Sequence, residues 1–71
     1  MTDVEREIVE YLKQNRYAFF NRKEISRRAR SRADYEEDPH WAAAPLASLV
    51  AQGIVEQNNS GLYRLSEQYD R

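Results

Sequence analysis

Apolar residues recur at helical spacing near the start of the chain. Four of them follow the i, i+4, i+7, i+8 pattern that buries one face of a helix: Val4, Ile8, Tyr11 and Leu12. Thr2 and Glu5 have the spacing of a capping box, and Asn15 is a typical helix stop. The pattern therefore predicts a first helix over residues 3–15.

An aromatic run and a second helix follow. Residues 16–20 predict a short edge strand near 18–20, because aromatic side chains favour strands, and Phe20 is expected in the core. A second N-cap signal is formed by Asn21 and Glu24. The helix after it is predicted over residues 22–30, with two residues spaced to face inward: Ile25 and Ala29.

The segment after the second helix has no apolar period. We therefore expect a loop over residues 31–38, ending in a helix-start signal in which Asp38 is the N-cap and Pro39 the first helical residue. The third helix should run to about Gln52, with Gly53 as its left-handed C-cap. Its predicted buried stripe consists of Ala42, Leu46, Leu49 and Val50.

Pro45 lies inside this third helix. A proline within a helix removes one backbone hydrogen bond and clashes with the preceding turn, at a cost of about 3 kcal/mol. The helix therefore either kinks at Pro45 or begins near Ala44. Of these two, a single kinked helix is our prediction.

Two β-prone runs surround a polar turn near the end of the sequence. Residues 54–57 and 62–66 predict the strands of a hairpin, joined by the turn Asn58-Asn59-Ser60-Gly61, whose residues tolerate positive φ. Residues 67–71 have Tyr69 as their one apolar anchor and are expected to fray. The pattern predicts one domain over residues 1–71 with a core region from 3 to 66.

Composition limits the class of protein. The chain has 71 residues and no cysteine, so the fold must be held by one apolar core without disulfides or zinc-thiolate sites. Acids and bases alternate in its first residues, and no apolar run approaches the roughly 20 residues of a membrane span. We expect a cytoplasmic protein that is neither secreted nor inserted in a membrane.

Charge is segregated along the chain although the net charge is only −1. Residues 16–32 hold seven Lys and Arg against Glu24 alone, a local charge of +6, and four acids follow in residues 33–40. The basic segment predicts a phosphate-binding patch, because cations on one helix supply the contacts that dominate nucleic-acid affinity. The alternatives are an ordinary solvated surface, or cations that pair with the following acids, which would neutralise the patch.

The order of helix, short strand, helix, helix and hairpin resembles the winged helix-turn-helix family over about residues 3–66. Three segments carry the resemblance: Phe20-Asn-Arg-Lys-Glu-Ile25, Leu46-x-x-Leu49-x-x-x-Gly53-Ile54-Val55, and Gly61-Leu62-Tyr63-Arg64-Leu65. It implies a mainly helical α+β fold with three helices and a small antiparallel wing. In such domains the third helix enters the major groove of duplex DNA and the wing touches the backbone or the minor groove.

The resemblance implies a small regulatory DNA-binding module, of the kind used in transcription regulation. The third helix contains no Arg or Lys, so phosphate contacts should dominate over base contacts. We expect the Arg and Lys side chains of the second helix to bind phosphate. The third helix should make limited contact with bases, and the wing should contact the DNA backbone or the minor groove. The candidate residues are Arg22, Lys23, Arg27, Arg28, Ser48, Gln52, Asn58, Asn59 and Arg64.

An alternative is a protein-interaction or homodimerisation module. Small side chains let a partner backbone approach closely, and the third helix is rich in alanine. The interface candidates are Trp41, Ala43, Ala44, Ala47 and Ala51. Trp41 suits either an interface anchor or a cover over the core.

Chemistry beyond binding is not indicated. His40 near Asp38 lacks the further spaced ligands that a metal site needs. The acids at positions 36–38 lie in a segment without a cleft to tune them, and the chain has no triad order or glycine-rich phosphate loop. We therefore predict no enzyme activity, no cofactor and no small-molecule substrate.

Overall fold

A computed structural model describes residues 2–67 and residue 69. Within these residues the chain forms four helices and one two-stranded antiparallel hairpin, which confirms the predicted α+β class. The elements in chain order are α1 (Asp3–Gln14), α2 (Arg22–Arg28), α3 (Arg32–Glu37), α4 (Ala43–Ala51), β1 (Val55–Gln57) and β2 (Tyr63–Leu65). None of the described helices combines the length and the apolar character needed to cross a bilayer.

Helix α1 begins and ends as its sequence predicts. The hydroxyl of Thr2 accepts a hydrogen bond from the Glu5 amide at 3.1 Å, and the Glu5 carboxylate accepts one from the Thr2 amide at 3.0 Å, which completes the capping box. Asn15 is the C-cap, so the helix ends one residue before the predicted bound. Ile8 and Leu12 are buried as predicted, together with Val9, which the four-residue pattern left out.

The core joins all the elements except α3. Its buried apolar residues are Ile8, Val9, Leu12, Ile25, Ala42, Leu46, Leu49, Val55 and Leu65. Phe20 packs against this cluster and forms a two-way backbone bridge with Tyr63, with N···O distances of 2.8 and 2.7 Å. Of the edge strand predicted near residues 18–20, Phe20 alone pairs with β2, as an isolated bridge, so these residues do not form a strand.

Helix α2 starts at its predicted cap and ends early. The side-chain oxygen of Asn21 accepts a hydrogen bond from the Glu24 amide at 2.7 Å. The helix ends at Arg28, two residues before the predicted bound, and Ala29 is its C-cap. Ile25 is fully buried, as expected.

The prediction of a loop over residues 31–38 is wrong, because α3 occupies most of this segment. Local contacts account for the helix. The Ser31 hydroxyl accepts a hydrogen bond from the Asp34 amide at 3.2 Å, and Arg32 pairs with Glu36 one turn later at 3.0 Å. Helix α3 buries no residue, so its sequence has no apolar periodicity from which a helix could be predicted.

The predicted start of the third helix is also wrong. Asp38 is the C-cap of α3, and the next helix, α4, begins at Ala43. Pro45 is the third residue of α4, where its missing amide hydrogen has no intrahelical partner to lose. The kinked helix predicted around Pro45 is therefore incorrect, and the alternative start near Ala44 holds to within one residue.

The end of α4 and the hairpin follow the predicted turn chemistry. Gly53 has a φ of 79°, and the amide of Ile54 donates to the Leu49 carbonyl at 3.0 Å, as in a Schellman motif. Val55 lies opposite Leu65 in the hairpin, and in its turn only Gly61 uses a positive φ, of 80°. Both strands are shorter than predicted.

Tyr69 is the anchor that the sequence predicts for the end of the chain. It packs against the core, and its carbonyl accepts a hydrogen bond from the Arg16 guanidinium at 2.9 Å. The expected fraying of residues 67–71 is thus not found at Tyr69. Gln68, Asp70 and Arg71 lie outside the described residues.

Candidate nucleic-acid interface

Helix α2 presents its cations to solvent because its one apolar contact with the core is Ile25. We call its four exposed cations the α2 basic face: Arg22, Lys23, Arg27 and Arg28. All four were candidates for phosphate contact from the sequence. All four are exposed, and three of them, Lys23, Arg27 and Arg28, line a common depression.

An open groove lies between α2 and α3, and we call it the α2–α3 groove. It has a volume of about 540 Å³ and is lined by Lys23, Arg27, Arg28, Arg32, Tyr35 and Glu36. A smaller depression of about 230 Å³ continues along the start of α2 and is lined by Asn21, Lys23, Glu24, Arg27 and Arg28. Sequence reasoning missed the groove, since one of its two walls was predicted as a loop.

Most of the α2 basic face is not neutralised within the protein. Among residues 2–67 and 69, no carboxylate forms an ion pair with Arg22, Lys23 or Arg27. Arg28 approaches Glu24 only loosely, at 3.9 Å. The predicted alternative, in which the acids of residues 36–38 neutralise the patch, does not apply to these cations.

Arg30, by contrast, is held inside the structure. Its guanidinium pairs with Glu7 of α1 at 3.0 Å and approaches Asp34 of α3 at 3.7 Å. It also lies 5.5 Å from the centre of the Trp41 ring. Arg30 therefore connects helices and is not available to a ligand in this arrangement.

The two candidates for base contact, Ser48 and Gln52, have hydrogen-bond partners within the protein. The Gln52 side-chain amide donates to the Ser48 hydroxyl at 3.0 Å. Hydrogen bonds from Ser48 first, then from the Thr2 backbone, and a weaker one from Gln52, lower the pKa of Glu5. The half-buried Ser48 thus faces the start of α1, Gln52 is exposed at the end of α4 with its amide bound to Ser48, and the exposed residues of α4 are Ala44, Ala47 and Ala51, with Ala43 half-buried.

The wing candidates are also largely engaged. Arg64 pairs with Glu56 across the hairpin, with Nε 3.0 Å from the carboxylate, and its guanidinium lies 4.5 Å from the Phe19 ring centre. The Asn58 side chain accepts two hydrogen bonds, from the amides of Ser60 and Leu62, both at 2.9 Å. Arg64 is therefore not free to insert into a groove, and Asn59 is the exposed residue of the three.

Trp41 serves the core more directly than an interface. Its indole nitrogen donates to the Ser26 carbonyl at 2.8 Å, and its ring packs half-buried against the core. Trp41 also lines a surface depression of about 500 Å³, beside Val4, Ala44 and Pro45. Of the two roles left open by the sequence, the contacts favour a cover over the core.

The arrangement can bind an anion on α2 but contains few free groups for reading bases on α4. Comparisons of the chain with models of protein families, with curated proteins and with solved structures found no match.

Proposed function

We propose that this chain is a small winged-helix module that binds duplex DNA, mainly through phosphate contacts. The order of helices and hairpin supports the winged-helix interpretation, as does the pairing of Phe20 with the return strand β2. In helix-turn-helix docking, the helix before the recognition helix crosses the DNA backbone. In this chain two helices, α2 and the short α3, precede α4, and both line the α2–α3 groove.

The observation that carries the proposal is the α2 basic face. Three of its cations, Arg22, Lys23 and Arg27, have no carboxylate partner among the described residues, so a ligand phosphate need not displace one. Each phosphate that such a cation neutralises releases condensed counterions from the duplex. This release favours binding in a sequence-independent and salt-sensitive way.

The surface of α4 favours binding through phosphate contacts over recognition of a DNA base sequence. Its exposed surface consists of alanines, and its two polar candidates, Ser48 and Gln52, contact each other and Glu5. Direct readout needs side chains that donate to or accept from base edges. We therefore expect similar affinity for duplexes of different sequence.

The test is a salt titration of binding to a labelled duplex. Replacing both Lys23 and Arg27 with Ala should weaken binding to all sequences alike and lower the slope of log K against log salt by about 1.8, or roughly 0.9 for each lost contact. A matched control is Arg6→Ala with Lys13→Ala, which removes the same charge from α1, where both cations face acids of their own helix. This control should leave the slope nearly unchanged.

Two results would overturn the proposal. One is absence of binding by the wild-type chain even at about 50 mM salt, where phosphate contacts are strongest. The other is an equal loss of slope in the α2 and α1 double variants. Either result would favour the alternative role in protein interaction or homodimerisation, for which the exposed Ala44, Ala47 and Ala51 of α4 offer a surface without charge. The mass of the chain in solution would then separate a dimer from a monomer.

A further inference from the structure

Two arginines on either side of Ser31 are held very differently. The side chain of Arg30 is 31% exposed and lies between two carboxylates, Glu7 and Asp34. The side chain of Arg32 is 90% exposed, and within the described residues its ion-pair partner is Glu36, itself 63% exposed, at 3.0 Å. Arg30 is fixed by the fold, whereas Arg32 belongs to a solvated pair on one turn of α3.

The exposed pair lies inside the α2–α3 groove. Arg32 and Glu36 both line it, opposite Lys23, Arg27 and Arg28 of the α2 basic face. Of the described residues that line the groove, Glu36 is the one carboxylate among four cations. It therefore occupies, within the protein, the place that an anionic ligand would take.

Replacement of the Glu36 carboxylate by a phosphate should cost little free energy. Exposed ion pairs one turn apart contribute little to stability, because water and salt screen them. A phosphate oxygen accepts the same charge-assisted hydrogen bonds from a guanidinium as a carboxylate oxygen does. The neighbouring cations of α2 would also attract the phosphate, while they have no such contact with Glu36.

We propose that a backbone phosphate of duplex DNA enters the α2–α3 groove and replaces Glu36 as the partner of Arg32. This inference rests on the proposed DNA binding and assigns its site. Arg32 becomes a further phosphate-binding residue beside the α2 basic face. Glu36 lowers the affinity for duplex DNA, because its carboxylate must either move away or repel the bound phosphate.

The first experiment compares Glu36→Gln with Glu37→Gln in the salt-titrated duplex assay. Both changes remove one negative charge from α3, but Glu37 does not line the groove. Glu36→Gln should tighten binding about fivefold, the change that corresponds to one repulsion between unit charges at about 4 Å in water. Glu37→Gln should tighten binding by less than about twofold, because its charge is screened.

The second experiment tests Arg32 itself. Arg32→Gln should weaken binding and lower the salt slope by about 0.9, as expected for one lost phosphate contact. The loss of affinity should be larger in the Glu36→Gln background than in the wild-type background, since Arg32 there has no competing partner. Thermal melts of the variants check that each one is folded, which is expected because neither side chain is buried.

The outcomes separate the two proposals. Equal effects of Glu36→Gln and Glu37→Gln, or an unchanged slope in Arg32→Gln, would overturn the exchange site while wild-type binding and the effect of the Lys23 and Arg27 changes still stood. Absence of duplex binding by both the wild-type chain and Glu36→Gln at about 50 mM salt would overturn DNA binding and the exchange site together. The predicted pattern is tighter binding in Glu36→Gln, near-wild-type binding in Glu37→Gln and a reduced slope in Arg32→Gln.

Discussion

Helices α2 and α4 have opposite relations to solvent. Helix α4 carries no charged side chain and buries Leu46 and Leu49 completely. Helix α2 buries Ile25 and Ser26 and directs its Arg and Lys residues outward. The core and the proposed DNA contact therefore rest on different side chains: α4 supplies apolar residues without charge, and α2 supplies exposed cations beside its one core residue, Ile25. Substitutions in the buried side of α4 should therefore lower stability without changing the charge of the surface. Substitutions of the exposed cations of α2 should change that charge with little effect on stability.

The largest effect should come from the buried side of α4. Leu49 is fully buried in the core, so Leu49→Ala should lower the free energy of unfolding by about 2–5 kcal/mol, through lost burial and an unfilled cavity. Chemical denaturation measures this loss. Leu49→Met is the matched control, because it keeps the volume and should cost less than about 1.5 kcal/mol. An unchanged denaturation midpoint in Leu49→Ala would contradict the assignment of the core to α4.

A smaller effect is expected at the start of α2. Asn21→Ala removes the acceptor of the Glu24 amide, so it should destabilise the domain by about 1 kcal/mol. Asn59→Ala is the control, because Asn59 is exposed in the hairpin turn and caps no helix. Equal stability of the two variants in denaturation would show that α2 does not depend on its cap.

The parts of the fold that the sequence predicted are those with strong local chemistry. The capping box of α1, the Asn21 cap of α2 and Gly53 after α4 each satisfy backbone groups within a few residues, so their residue types identify them. Helix α3 escaped prediction because it buries nothing and rests on Ser31 and on exposed ion pairs.

The candidate site was only partly predictable for the same reason. The α2 basic face was found from charge alone, but the α2–α3 groove needs the second wall that α3 provides. Arg64 was expected to be free, since its partner Glu56 becomes its neighbour only through the hairpin register. Ser48 was expected to face outward, although the packing of α4 on α1 brings it to Glu5. Strand register and helix packing depend on residues far apart in the sequence, so local sequence patterns do not predict them.

The smallest effect should come from Pro45, and it tests where α4 begins. As the third helical residue, Pro45 replaces an amide that would have no intrahelical acceptor, so Pro45→Ala regains no hydrogen bond. It also makes the unfolded chain more flexible, so the domain should lose up to about 0.5 kcal/mol, with no gain. Ala47→Pro, two residues further into α4, is the contrasting control and should cost about 3 kcal/mol. A clear gain of stability in Pro45→Ala would instead indicate a longer helix that the proline kinks.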